Sequence, residues 1–243
     1  MNEILLIIIL IFVGQTLGSL IGIIKKPNDL FLRASLAFAG SMMLGISFLQ
    51  LIPEGLKISS PLLITSSFIF GIMIMRFIDR ILPHINPELM KKEKPSIKRS
   101  VTMLVIGIAL HNIPEGLAIG VGFALSPALG VVVALGIAMQ DVPENIATIV
   151  PLYGLTKKRL KSFIILVTTV LFELFGFVFG YYILHGTAPN LLGASLALAA
   201  GFMTYISIEE LIPSAQIKKD PYLMIVSMVF GVLAVLGTML FVL

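Results

Sequence analysis

"HNIPEGLAIG", residues 111–120, and "QDVPENIATI", residues 140–149, are two versions of one pattern: a polar pair, a proline and a glutamate within one helical turn. They align as His/Gln, Asn/Asp, Ile/Val, Pro/Pro, Glu/Glu, Gly/Asn, Leu/Ile and Ala/Ala at an offset of 29 residues. Both sit inside long apolar runs, where such residues are costly. The whole chain shares that setting: 58% of its 243 residues are hydrophobic, 12% are charged, and mean hydropathy is +1.05. A soluble domain carries about 25% charged residues. The shortfall is too large for a surface facing water, so the chain reads as an all-α integral membrane protein, a single transmembrane domain over 1–243.

Apolar runs of about 20 residues match a hydrocarbon core of roughly 30 Å. Eight are present, at about 4–24, 32–52, 61–80, 101–124, 128–153, 162–184, 191–213 and 222–243. They are too long and too uniformly apolar for barrel strands. The first, "MNEILLIIILIFVG", lacks a basic leading region and a small-residue cleavage site, so it reads as a retained span. Of the 17 Lys and Arg residues, 16 fall in or beside the odd-numbered connections; only Lys57 lies in an even one. The positive-inside rule then places the odd connections in the cytoplasm and both termini outside, in the cell (inner) membrane. The net charge of +4 is a topology signal and not a nucleic-acid footprint. The one long connection, 82–100, reads as a solvated cytoplasmic loop in which His84 is a surface residue. The absence of Cys excludes disulfides, thiolate metal sites and thiol redox chemistry.

An acidic group at bilayer depth costs several kcal/mol unless it finds a partner or a wet cavity. Glu115, Asp141, Glu144 and Glu173 fall near mid-membrane, with Glu209 and Glu210 deeper toward the cytoplasmic end of span seven and Glu54 at the outer edge of span two. No Lys or Arg lies at matching depth, which points to an exogenous cation. Helical spacing puts His111, Asn112 and Glu115 on one face, and Gln140, Asp141 and Glu144 on another. Consecutive spans are antiparallel, so the paired motifs suggest inverted repeats whose half-sites face each other. Pro114 and Pro143 each withhold a backbone donor beside the acids, and both helices are expected to be kinked or broken there. One imidazole with carboxylate and amide oxygens suits Zn²⁺, Fe²⁺, Mn²⁺ or Cd²⁺. The four mid-membrane acids together would balance two divalent ions. The small residues Gly116, Ala118, Gly120, Gly176 and Gly180 read as close helix packing that permits one bundle to slide on another. A monovalent-cation or proton-coupled carrier and an intramembrane metallohydrolase are the rival readings. The first makes His111 incidental, and the second lacks an HExxH pair.

With these motifs in this order, the chain resembles the ZIP family of metal-ion transporters, in its broad-selectivity prokaryotic branch. "HNIPEG" matches the family's span-four signature and "QDVPEN" its span-five counterpart. The resemblance implies two three-helix bundles around spans four and five, and uptake of zinc and related divalent metals toward the cytoplasm through a binuclear centre. No enzymatic activity is implied. Carried over by position, one metal is held by His111, Glu115, Gln140 and Glu144 with Met43 nearby. The second is held by Asn112, Glu115, Asp141, Glu144 and Glu173. Glu173 matches the span-six acid although the proline that usually follows is Leu174 here. Glu209 and Glu210 match a cytoplasmic exit site, and the long loop lacks the family's histidine cluster. Zn²⁺ is thereby the transported substrate, with one ion retained structurally as an open alternative. The lipid bilayer and a second copy in a homodimer are the implied partners.

Overall fold

The computed structural model describes residues 2–25, 27–81, 97–216 and 221–240. Among these, eight helices are long and apolar enough to cross a membrane. They are α1 (Asn2–Ile24), α2 (Asp29–Ile58), α3 (Pro61–Ile81), α4 (Ile97–Leu125), α5 (Pro127–Thr156), α6 (Arg159–Ile183), α7 (Pro189–Ser214) and α8 (Pro221–Leu240). The expected loop over 82–100, with His84, lies outside the described residues except for 97–100, which already belong to α4.

Local chemistry explains the helix starts. α3, α5, α7 and α8 each begin on a proline, whose missing N–H is not needed in a first turn. The Asn28 side chain accepts from Phe31 N at 2.7 Å to cap α2, and Ser126 Oγ accepts from Leu129 N at 3.1 Å to cap α5. α5 ends on Lys157 in the left-handed conformation, its N–H returning to the Tyr153 carbonyl. Arg33 closes the far end of α7 by donating to the Gln216 carbonyl at 2.9 Å while pairing with Asp29 at 2.8 Å.

Span two is longer than its hydropathy suggests, because α2 continues past Pro53 to Ile58. A proline ring crowds the carbonyl four residues back. The backbone relieves this by widening into a π-helical turn over Ile46–Leu51, with the Ile52 N–H reaching the Ser47 carbonyl. α7 does the same ahead of Pro213: it widens over Ser207–Leu211, and Ile212 N–H reaches Ser207 O. In both helices the serine hydroxyl donates back one turn, Ser47 to Met43 O at 2.9 Å and Ser207 to Met203 O at 2.8 Å.

The helices fall into two sets by their contacts. α1 lies along α5 and α6 along α4, with α4 and α5 against each other; α3 lies along α7 and α8 along α2, with α2 touching α7. The sets meet where α2 crosses α5 and α7 crosses α4. Within a set the approach is backbone to backbone. A methyl group at Gly116 would collide with the Glu173 carbonyl, and one at Gly176 with the Ile113 carbonyl. Between sets it is softer: a methyl at Gly136 would meet the Ile46 side chain at 3.2 Å. The expected close packing of the α4 and α6 glycines is therefore present, and it interlocks those two helices.

This makes a stability prediction. Gly176→Ala should destabilise the protein by about 1–3 kcal/mol, the usual range for overpacking. Gly154→Ala, where nothing lies within 4 Å of the added carbon, should be neutral or stabilising. Thermal unfolding followed by fluorescence size-exclusion chromatography measures both.

Candidate metal centre

Five helices, α1 and α4 to α7, bring the polar side chains together. On α4, His111 Nδ1 lies 2.8 Å from the Gly107 carbonyl. A carbonyl can only accept, so Nδ1 carries the proton and Nε2 is turned outward. Nε2 faces Glu210 Oε2 at 3.3 Å. One residue on, Asn112 Nδ2 donates to the Thr169 carbonyl at 3.1 Å. One helical turn later, Glu115 Oε1 accepts from Gln140 Nε2 of α5 at 2.5 Å. Glu173 of α6 accepts through Oε2 from Gln15 Nε2 of α1 at 2.8 Å. Glu115, Asp141 and Glu173 are each at most 2% exposed, and with Glu144 they lie close enough to repel one another.

The remaining acceptors are orphaned. Gln140 Oε1, Asp141 Oδ2, Glu144 Oε2 and Glu173 Oε1 are buried and receive no hydrogen bond. Buried acceptors without donors are rare and costly. Among the described residues, no Lys or Arg side chain is buried with them. The donors are not gathered into a finished cage: among the described residues, no three His, Asp or Glu side chains are placed to hold one ion as they stand. The geometry shows why. Glu115 is taken by Gln140, His111 by Glu210 and Glu173 by Gln15, so an entering cation competes with these contacts for one lone pair at a time. Neutral imidazole, amide oxygen and carboxylate are donor types that suit a divalent cation.

Comparison with known proteins agrees with this chemistry. The family model described as "ZIP Zinc transporter" matches residues 88–242. The protein named zinc transporter ZupT from Escherichia coli O7:K1 (strain IAI39) is 34% identical over 226 residues, covering 89% of this chain and 88% of its own length. The ZupT of Escherichia coli O8 (strain IAI1) matches with the same identity and coverage. The chain belongs to the ZIP family. Its members are transporters and not enzymes.

In this ZIP protein the two motif prolines do not interrupt their helices. α4 runs unbroken through Pro114 and α5 through Pro143, against the expectation of broken helices at the acids. Each proline still withholds one N–H, but tightly packed neighbours hold the helix together across it. The interruption near the site lies elsewhere, at Thr169, which divides α6 into Arg159–Thr168 and Val170–Val178. The Thr169 hydroxyl donates to the Leu166 carbonyl at 2.6 Å, and its own carbonyl is given to Asn112. That hitch lies four residues before Glu173, where the proline that usually follows the acid is Leu174.

Of the expected site residues, His111, Asn112, Glu115, Gln140, Asp141, Glu144, Glu173 and Glu210 are drawn to the α4–α5 region. Glu209 is not: it is exposed, while its neighbour Glu210 turns toward His111. Met43 is fully buried in the apolar core of α2. Glu54 pairs with Lys57 at 2.5 Å near the end of α2, and His185 is exposed with its ring 5.3 Å from that of Tyr181. Gln15 and Thr169 were not singled out from sequence. A lone glutamine inside an otherwise apolar first span was the available signal for Gln15.

A cavity of about 170 Å³ reaches the site, lined by His111, Glu144, Thr148, Pro151, Glu210 and Ser214 among others. These residues lead toward the helix ends that join the Lys- and Arg-bearing connections. On the other side, Leu51, Ile119, Val133, Ile137 and Leu196 are all 0% exposed. Since the chain has no Cys, single cysteines report this asymmetry directly. Thr148→Cys should react quickly with a membrane-impermeant maleimide applied from the basic-loop side, and Val133→Cys should react far more slowly and only from the opposite side. Labelling of inside-out and right-side-out vesicles measures it.

Proposed function

We propose that this protein carries divalent metal ions, zinc foremost and also iron, manganese and cadmium, across the cell (inner) membrane into the cytoplasm. The observation that carries the proposal is the set of buried oxygens without donors beside His111, with no Lys or Arg side chain buried with them among the described residues. The name of the ZupT relatives supports zinc as substrate. The ions occupy a binuclear centre between α4 and α5. One is bound by His111, Glu115, Gln140 and Glu144, with Met43 behind it in the core. The other is bound by Asn112, Asp141 and Glu173, and Glu115 and Glu144 bridge the two. For this, Gln140 turns its amide so that Oε1 replaces Nε2, and Glu210 releases His111 Nε2 and receives the departing ion in the cavity.

Transport proceeds by alternating access. The cavity on the basic-loop side is the cytoplasmic opening, which fits termini on the outer face. Inverted repeats supply the other state, with α1–α3 corresponding to α6–α8 and α4 to α5. Matched contacts support this reading. Gly18 meets the Val142 carbonyl as Gly176 meets that of Ile113, and Gly71 meets the Leu198 carbonyl as Gly231 meets that of Phe38. The glycine interlocks lie within the two helix sets, so the set holding α1, α4, α5 and α6 moves as a body against the other along the softer α2–α5 and α4–α7 contacts. Outward-facing side chains such as Leu62 and Leu240, 81% and 73% exposed, contact lipid.

Purified protein in liposomes should take up radiozinc with saturation, and His111→Ala should lower uptake about tenfold or more, the usual scale for damage to a metal shell. Wild-type uptake by that variant would remove His111 from the site, and uptake of Na⁺ in place of zinc would favour a monovalent carrier. Carboxylates and imidazole must shed protons to bind metal. Calorimetric zinc affinity should therefore fall as pH is lowered, with protons released on binding.

A further inference from the structure

Gln15 has no assigned role, yet it is 1% exposed and, among the described residues, donates the one hydrogen bond that the Glu173 carboxylate receives. Its amide nitrogen donates to Oε2 at 2.8 Å, and its own carbonyl oxygen lies 3.4 Å from the Thr169 hydroxyl, whose proton goes to the Leu166 carbonyl. Glu173 Oε1 is left buried with open lone pairs. The residue before it, Gly14, presses α1 onto α5 so closely that a methyl there would lie 3.0 Å from Asp141 Cβ. α1 thus sets Gln15 on Glu173 and its neighbour Gly14 beside Asp141, the two acids that the proposed function assigns to the second ion.

Its position in the repeat is equally telling. Gly18 and Gly22 of α1 pack on α5 as Gly176 and Gly180 of α6 pack on α4. The same offset of 158 residues carries Gln15 onto Glu173. The two are therefore counterparts that face each other, one amide and one acid of the same shape. The pattern recurs in the pairs Asn112/Asp141 and Gln50/Glu210, the last at matching places in the two π-helical turns that precede a proline. Only at Glu115 and Glu144 do both halves keep the acid.

We propose that Gln15 is a positioning and charge-setting residue of the metal centre. By donating to Oε2 it orients the Glu173 carboxylate and leaves Oε1 as the oxygen fully open to an ion. By being an amide it keeps the α1 side neutral, so the second ion meets Asp141 and Glu173 without a further acid. Carboxylates that ligate metals are held by such outer hydrogen bonds, and losing one costs about 10–100-fold in affinity. A site richer in carboxylate favours harder ions. The inference rests on the proposed transport of divalent metals.

The test uses the purified full chain and Cd²⁺ and Mn²⁺ as probes in equilibrium dialysis. Gln15→Leu should weaken Cd²⁺ binding about 10–100-fold, and adding Glu173→Gln to it should cost little more, because both act on one ligand. Gln15→Glu fits the same space, so it carries the test even if the leucine variant fails to fold. It should shift the affinity ratio toward Mn²⁺, and the exchanged pair, Gln15→Glu with Glu173→Gln, should recover Cd²⁺ affinity relative to either single change. A merely structural glutamine moves neither the ratio nor the recovery. Wild-type affinity and ratio in the Gln15 variants, or independent multiplying losses for the two positions, would overturn the inference while leaving transport intact. Absence of Cd²⁺ and Mn²⁺ binding by the wild-type chain would overturn the transport reading itself.

Discussion

Carboxylates buried at bilayer depth, with no Lys or Arg side chain buried beside them among the described residues, are the constraint on which the rest of this structure depends. Removing an ionised acid from water costs several kcal/mol even after local relaxation, and Glu115, Asp141 and Glu173 are almost fully withdrawn from solvent. The protein offsets part of that cost with amides, Gln140 on Glu115 and Gln15 on Glu173, and with the imidazole of His111 on Glu210. These contacts leave several oxygens unmatched. A mobile divalent cation can complete them because the protein partners occupy only some of the lone pairs.

The scaffold serves that site by being stiff in some directions and yielding in others. Glycine lets α4 and α6 approach until backbone meets backbone, so a side chain cannot be inserted between them. Bistable motion needs packed bodies that move as units across a contact that can re-form. The contrast between interlocked helix pairs and the side-chain-mediated crossing near Gly136 and Ile46 has that character. The π-helical turns of α2 and α7 lie on the set opposite the interlocked α4–α6 pair, where a widened backbone takes up the strain of an internal proline.

Much of this was legible in the sequence, and the reason is periodicity. Span number follows from apolar length, and His111 and Glu115 share a face because they are four residues apart. What hydropathy and spacing miss are events that depend on neighbours. Pro53 and Pro213 look like helix ends, but a local change of hydrogen-bond register lets both helices continue. Pro114 and Pro143 look like breaks, and packing holds them straight enough to stay helical. Thr169 looks unremarkable in a span, yet its hydroxyl and carbonyl make the hitch that serves Asn112. Glu209 and Glu210 are adjacent, and the widened turn sends only Glu210 toward His111. Gln15 lies 158 residues from its partner, a distance no local pattern spans.

The central claim is that the acids between α4 and α5 are held there for metal. Anomalous diffraction from crystals soaked in Cd²⁺ tests it most directly, since it reports the number of ions and their ligands together. The account predicts anomalous peaks bounded by His111, Glu115, Asp141, Glu144 and Glu173, with Glu210 withdrawn from the imidazole. Soaked crystals that show no anomalous density between these two helices, while His111 stays on Glu210 and Glu115 on Gln140, would contradict it.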